Sequence, residues 1–166
     1  YTRPRVVAML FLGFAAGLPL LLVFSTMSAW LRELEVSRSA IGFFGWIGIT
    51  YSVKFFWAPV VDRLELPLLK RLIGKRRSWM CVGQLGIMLG LVMMALIDPR
   101  EHLLAFAALA VLVAFSSATQ DISIDAYRIE AVVPEYQGAM SANYILGYRL
   151  AMLVAGAGAL YLAELT

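Results

Sequence analysis

Five ionisable side chains stand in or beside stretches that are otherwise apolar: Lys54, Asp121, Asp125, Arg128 and Arg149. A charge inside a membrane-length run costs about 2.5–3.5 kcal/mol on insertion scales, so it faces protein or a water-filled cavity and marks an ion or substrate path. Asp121, Asp125 and Arg128 are spaced i, i+4, i+7, which puts all three on one face of a helix. Arg149 lies in the following apolar run, and counting from the ends of the two runs places it and Asp121 both roughly 14–17 Å inside. Equal depth permits an ion pair between neighbouring helices, and two readings stay open. In one, Asp121 or Asp125 with Arg149, and Lys54 with some carboxylate, are structural pairs that hold helices together. In the other, the Arg149 guanidinium is a bidentate ligand for an anionic substrate. A carboxylate beside a cation that can be withdrawn is then a proton carrier, with Asp121 the favoured one.

Neutral polar residues supply the rest of a possible cavity: Ser25, Thr26 and Ser28, then Thr50, Tyr51 and Ser52, then Gln120, and finally Asn143, Tyr144 and Tyr148. Amides, hydroxyls and aromatic rings suit a sugar or a peptide, and the same groups also serve as interhelical hydrogen bonds. Gln120, Asn143, Tyr144 and Tyr148 join Arg149 as candidate substrate ligands. The sequence holds no nucleophile with a base, no HExxH and no phosphate-cradling glycine loop, so enzyme chemistry is not expected. Cys81 is the single cysteine and His102 the single histidine; neither has the company a metal site needs, and no metal or cofactor is expected.

The elements that must position these groups are helices in lipid. Of the 166 residues 61% are hydrophobic and 15% charged, with a mean hydropathy of +0.80, unlike ordinary soluble domains. A spanning helix needs roughly 20 mostly apolar residues, and five segments qualify: about 6–31, 40–61, 78–97, 103–126 and 139–163. The connections are short and leave no room for a separate soluble domain. The first run exceeds a signal-peptide core and is read as a retained span. Arg3, Arg5, Arg63, Lys70, Arg71, Lys75, Arg76, Arg77 and Arg128 fall on one side, and Arg32, Arg38 and Arg100 on the other. This asymmetry puts the N-terminus in the cytoplasm and turns the net charge of +3 into a topology signal instead of a nucleic-acid patch. Trp30, Trp57 and Trp79 lie at expected span ends, as interface anchors do. Gly13 and Gly17, Gly42, Gly45 and Gly48, and Gly86 and Gly90 recur at helical spacing that allows close helix approach, and Pro19 should loosen or bend the first span.

Five segments together carry a resemblance: LGFAAGLPL (12–20), KFFWAPVVDR (54–63), GKRRSW (74–79), SATQDISIDAYR (117–128) and LGYRLAMLVAG (146–156). In this order and spacing they resemble the N-terminal part of AmpG-type muropeptide permeases of the major facilitator superfamily. The resemblance implies an all-α integral membrane fold, about five helices of an N-terminal six-helix bundle. It also implies proton-driven import of GlcNAc-anhydromuramyl peptides across the bacterial inner membrane by alternating access, for cell-wall recycling and β-lactamase induction. Asp62 and Arg63 with GKRR, hence Arg76 and Arg77, are similar to the superfamily's loop motif that latches the cytoplasmic side. An insertion, LELPLLKRLI (64–73), separates its halves here. Such transporters have twelve or more spans in two halves with substrate between them, so this chain is expected to be a fragment whose remaining half lies in the same polypeptide. The expected partners are an anhydromuropeptide, protons and the bilayer. Two alternatives remain: a related facilitator for an acyl-CoA or another sugar conjugate, and a non-transporting membrane scaffold whose charges only pair helices.

Overall fold

The computed structural model describes residues 4–165, apart from the Phe43 side chain; Arg3, counted above for orientation, lies outside them. The described residues fold as helices joined by short turns. Four continuous helical stretches are long and apolar enough to cross a membrane: Pro4–Glu33, Lys75–Leu96, Leu103–Glu130 and Pro134–Glu164.

The first stretch comprises α1 (Pro4–Leu21), a π-helical turn (Leu22–Thr26) and α2 (Met27–Glu33). Pro19 lies inside α1 and is buried. Its missing N–H removes one rung of the hydrogen-bond ladder, and the helix continues past it before widening at Leu22. The expected second span is not a single helix. It is a string of short pieces: α3 (Arg38–Phe44), a 3-10 turn (Gly45–Ile47), α4 (Gly48–Ser52), a second 3-10 turn (Lys54–Phe56) and α5 (Ala58–Arg63). Gly42, Gly45 and Gly48 weaken helical order there, and Pro59 cannot follow an uninterrupted turn, so the chain restarts with proline in the first turn of α5.

A short helix α6 (Pro67–Ile73) then leads through Gly74 into α7 (Lys75–Leu96). Gly74 has φ 84°, a conformation that side-chain-bearing residues rarely adopt, and it lets the chain reverse between two helices. The long α8 (Leu103–Glu130) follows. The last stretch is a 3-10 turn (Pro134–Tyr136), α9 (Gln137–Leu153), a second π turn (Val154–Gly158) and α10 (Ala159–Glu164).

Two helix pairs form the frame: α1 with α9, and α7 with α8. The first is a backbone-to-backbone contact. A Cβ at Gly13 would strike the Tyr144 carbonyl, one at Gly147 the Leu10 carbonyl, and one at Gly17 would stand 2.7 Å from the Tyr148 carbonyl. The glycines of α1 and α9 therefore interlock, as small residues do where helices associate in lipid. Gly42 and Gly45 face open space instead, so that part of the glycine pattern meets no neighbouring helix among the described residues. The two π turns touch, and Thr26 donates its hydroxyl to the Ala155 carbonyl at 2.5 Å.

Two apolar clusters fill the interior. One gathers Val23, Met27 and Leu31 with Ile87, Phe106 and Val113; the other gathers Val6, Met9 and Ala16 with Ile124 and Met140. Much of the outward face of α7 is apolar as well, with Leu85, Leu89, Val92 and Leu96 all exposed, as expected of a helix whose outer face meets lipid.

Candidate functional site

Asp121 is the centre of the charged cluster. Lys54, in the 3-10 turn before α5, places Nζ 3.3 Å from Asp121 Oδ2. From the other side the Tyr144 hydroxyl donates to Asp121 Oδ1 at 3.2 Å. One carboxylate thus joins the broken segment, α8 and α9. The break has a use here: an unbroken helix would carry Lys54 on a regular spiral, whereas the opened turn sets it against α8. The same region is tied down by Trp57, whose indole N–H donates to Thr119 Oγ1 at 3.2 Å while its ring lies 4.8 Å from that of Phe115. Trp57, expected at a span end, therefore makes an interhelical contact.

One turn further along α8, Asp125 pairs with Arg128 of the same helix at 3.3 Å. Arg128 also lies 5.8 Å from the centre of the Tyr144 ring and donates to Ser141 Oγ at 3.3 Å. Asp121, Asp125 and Arg128 are thus gathered on the α8 face toward Tyr144, as their spacing predicts.

Arg149 joins none of this. Neither carboxylate pairs with it, and among the described residues it makes no ion pair. Depth alone is insufficient: five residues at 100° each place Arg149 about 140° round α9 from Tyr144. Arg149 instead lines an open cavity of about 420 Å³ together with Tyr144, Ile145, Tyr148 and Met152. Tyr144 and Tyr148 have ring centres 6.0 Å apart, so one aromatic pair connects the Asp121 cluster to the Arg149 cavity. Gln120 and Asn143 do not line this cavity. Gln120 is buried against α7, where its Cβ nearly fills the space above Gly83. Asn143 donates its amide to the Ala139 carbonyl of its own helix at 3.0 Å.

A second ionic cluster lies at the N-terminal end of α7. Arg76 Nη1 stands 2.5 Å from Asp62 Oδ1, and Arg76 Nη2 stands 2.6 Å from Glu130 Oε1; Nε also donates to both Glu130 oxygens. Lys75 donates to the Asp62 carbonyl. Asp62 and Arg76 therefore meet despite the insertion between them, because residues 64–73, which include α6, are looped out. Arg63 and Arg77, expected beside them, are exposed and have no ion-pair partner among the described residues. Glu130 was not foreseen. Its signal was available in the antiparallel pairing of α7 and α8, which brings the first turn of one helix against the last turn of the other.

These features define an all-α, multi-pass membrane unit of the major facilitator type, with one charged site inside the bundle and one at its rim. The family described as Acetyl-coenzyme A transporter 1 matches residues 5–107, and the chain belongs to it. It is 41% identical over 164 residues to the Anhydromuropeptide permease of Escherichia coli (strain K12), covering 99% of this chain and 33% of that protein. It is 40% identical over 162 residues to the Putative transporter AmpG 4 of Rickettsia conorii, covering 98% and 39% respectively. The resemblance to AmpG-type permeases thus extends over nearly the whole chain, which spans about a third of the length of these curated relatives.

Proposed function

We propose that this chain is the first part of a proton-coupled importer of GlcNAc-anhydromuramyl peptides, working by alternating access in a bacterial inner membrane with its N-terminus in the cytoplasm. The remaining spans lie in the same polypeptide. The observation that carries the reading is the position of Asp121, held by Lys54 and Tyr144 while Tyr148 and an unpaired Arg149 border the adjoining cavity. In this mechanism Arg149 holds an anionic group of the substrate through a bidentate contact, and the tyrosine rings pack on sugar or peptide faces. Asp121 carries the proton. A substrate that moves Tyr144 breaks a hydrogen bond to Asp121, which links binding to protonation. Asp125 and Arg128 extend the charged stripe toward the cytoplasm, and the Asp62–Arg76–Glu130 cluster is the latch that favours one conformation of that side.

The name of the matching family supports a second reading, in which the cargo is an acyl-CoA. Its phosphates would engage the same unpaired Arg149. Uptake of labelled anhydromuropeptide into vesicles holding the complete transporter tests both. The first reading requires uptake that collapses with a protonophore and in Asp121→Asn, and that withstands excess acetyl-CoA. Uptake of acetyl-CoA with no muropeptide signal selects the second, and uptake of neither by a correctly inserted protein refutes both.

A further inference from the structure

The looped-out insertion is itself a helix with an unclaimed apolar face. In α6, Leu68 is 81% and Leu72 80% exposed; they are four residues apart and so lie on one side of the helix, about 40° from each other. Leu66 and Leu69 are partly buried, so the protein covers one flank of α6 and leaves the leucine ridge bare. Arg71 lies about 60° to one side of Leu68. Arg71, Arg63 at the end of α5 and Arg77 in the first turn of α7 are exposed, and none has an ion-pair partner among the described residues. Their neighbours are different: Lys70 pairs with Glu65 and Arg76 with Asp62 and Glu130.

The place of α6 decides what covers it. Trp79 donates its indole N–H to the Leu64 carbonyl at 3.0 Å, and Lys75 donates to the Asp62 carbonyl. The base of the loop is thus closed against the start of α7, which further along exposes Val82, Leu85, Met88 and Leu89. A short helix fixed where a span leaves the bilayer, with bare leucines and unpaired arginines together, has the composition of an interfacial anchor. Arginine stems can lie along apolar surface while the guanidinium stays at headgroup level.

We propose that α6 rests in the membrane surface, with Leu68 and Leu72 in the acyl boundary, and that Arg63, Arg71 and Arg77 bind the headgroups of anionic phospholipid in that leaflet. Each arginine contributes about a fivefold preference for an anionic over a neutral surface. The seat holds the loop between Asp62 and Arg76 against the bilayer and leaves their ion pair free to open and close beside it.

The test is spin-label depth in the complete transporter, reconstituted in nanodiscs of phosphatidylcholine with or without phosphatidylglycerol. The label is placed at Leu68→Cys in a Cys81→Ala background, with Leu85→Cys as the lipid reference and Glu135→Cys as the aqueous one. The expected result is a Leu68 label that oxygen reaches better than a water-soluble nickel complex in the anionic bilayer. The label should move toward the aqueous reference in phosphatidylcholine alone and in the variant combining Arg63→Gln, Arg71→Gln and Arg77→Gln. Three results overturn the proposal: a Leu68 label as nickel-accessible as Glu135; a label shielded from both reagents, which means protein covers the ridge; or a depth that neither lipid charge nor the arginines change. Leu68 is exposed, so its replacement by cysteine leaves the fold intact.

Discussion

Removal of the Lys54 ammonium leaves Asp121 as an uncompensated charge between α8 and α9. At the 3.3 Å separation and an effective dielectric of about 20, the attraction is about 5 kcal/mol. Withdrawal of both ions from water takes back several kcal/mol. The side chains retain 33% and 17% of their exposure, so solvent screens part of what remains. A net coupling of about 1–2 kcal/mol follows, with each single substitution costing about 2 kcal/mol because it strands the partner. The assay is reversible unfolding of the complete transporter in mixed micelles for Lys54→Met, Asp121→Asn and the double variant. The double should be less destabilised than the sum of the singles by about 1–2 kcal/mol. Additivity within about 0.5 kcal/mol would refute the assignment of Lys54 as the partner of Asp121. The same three proteins separate the two readings of the charges. A double variant that regains stability and still fails in uptake marks the pair as working residues, whereas one that regains both marks it as structural.

Other outcomes follow from neighbouring parts of the fold. Gly13→Leu forces a side chain into the Tyr144 backbone and should lower stability by more than the usual 1–3 kcal/mol of overpacking, read as a fall in thermal midpoint. Gly42→Ala, which meets open space, should be neutral or slightly stabilising. Glu130→Gln removes one of the two carboxylates on Arg76. In so exposed a cluster it should cost no more than about 1 kcal/mol, but the accessibility of cysteines introduced on the side that bears this cluster should shift, and an unchanged pattern would argue against a latch. The Lys70 hydrogen bond holds the Glu65 carboxyl below its ordinary range. Its pair is therefore intact above the unfolded carboxyl's value and is lost as pH falls through the lowered one. In Lys70→Met the Glu65 carbon-13 titration midpoint should rise toward the ordinary value.

Much of the molecule was legible in the order of its residues. Apolar runs of membrane length appear as the four long helices because, without water, a backbone must satisfy its own hydrogen bonds, and a helix does so locally. The stripe of Asp121, Asp125 and Arg128 was equally legible, since helical periodicity alone puts those residues on one face. The alternation of glycines in α1 announced a close approach without naming α9 as the partner.

What only tertiary structure decided is which groups meet across helices. Hydropathy marked residues 40–61 as a span, but it is blind to the combined effect of three glycines and Pro59, which break the segment into pieces and swing Lys54 onto Asp121. Depth counting suggested Arg149 for that place. Depth is a one-dimensional coordinate, and the rotation of α9, set by its glycine contacts with α1, turns Arg149 away and presents Tyr144 instead. Glu130 entered the rim cluster for a similar reason: its partner Arg76 is distant in sequence, and only the antiparallel packing of α7 on α8 brings the two ends together. Local sequence sets helix formation and face, because those depend on neighbours within a turn or two. Pairing depends on how whole helices rotate and cross, a property of the packed bundle.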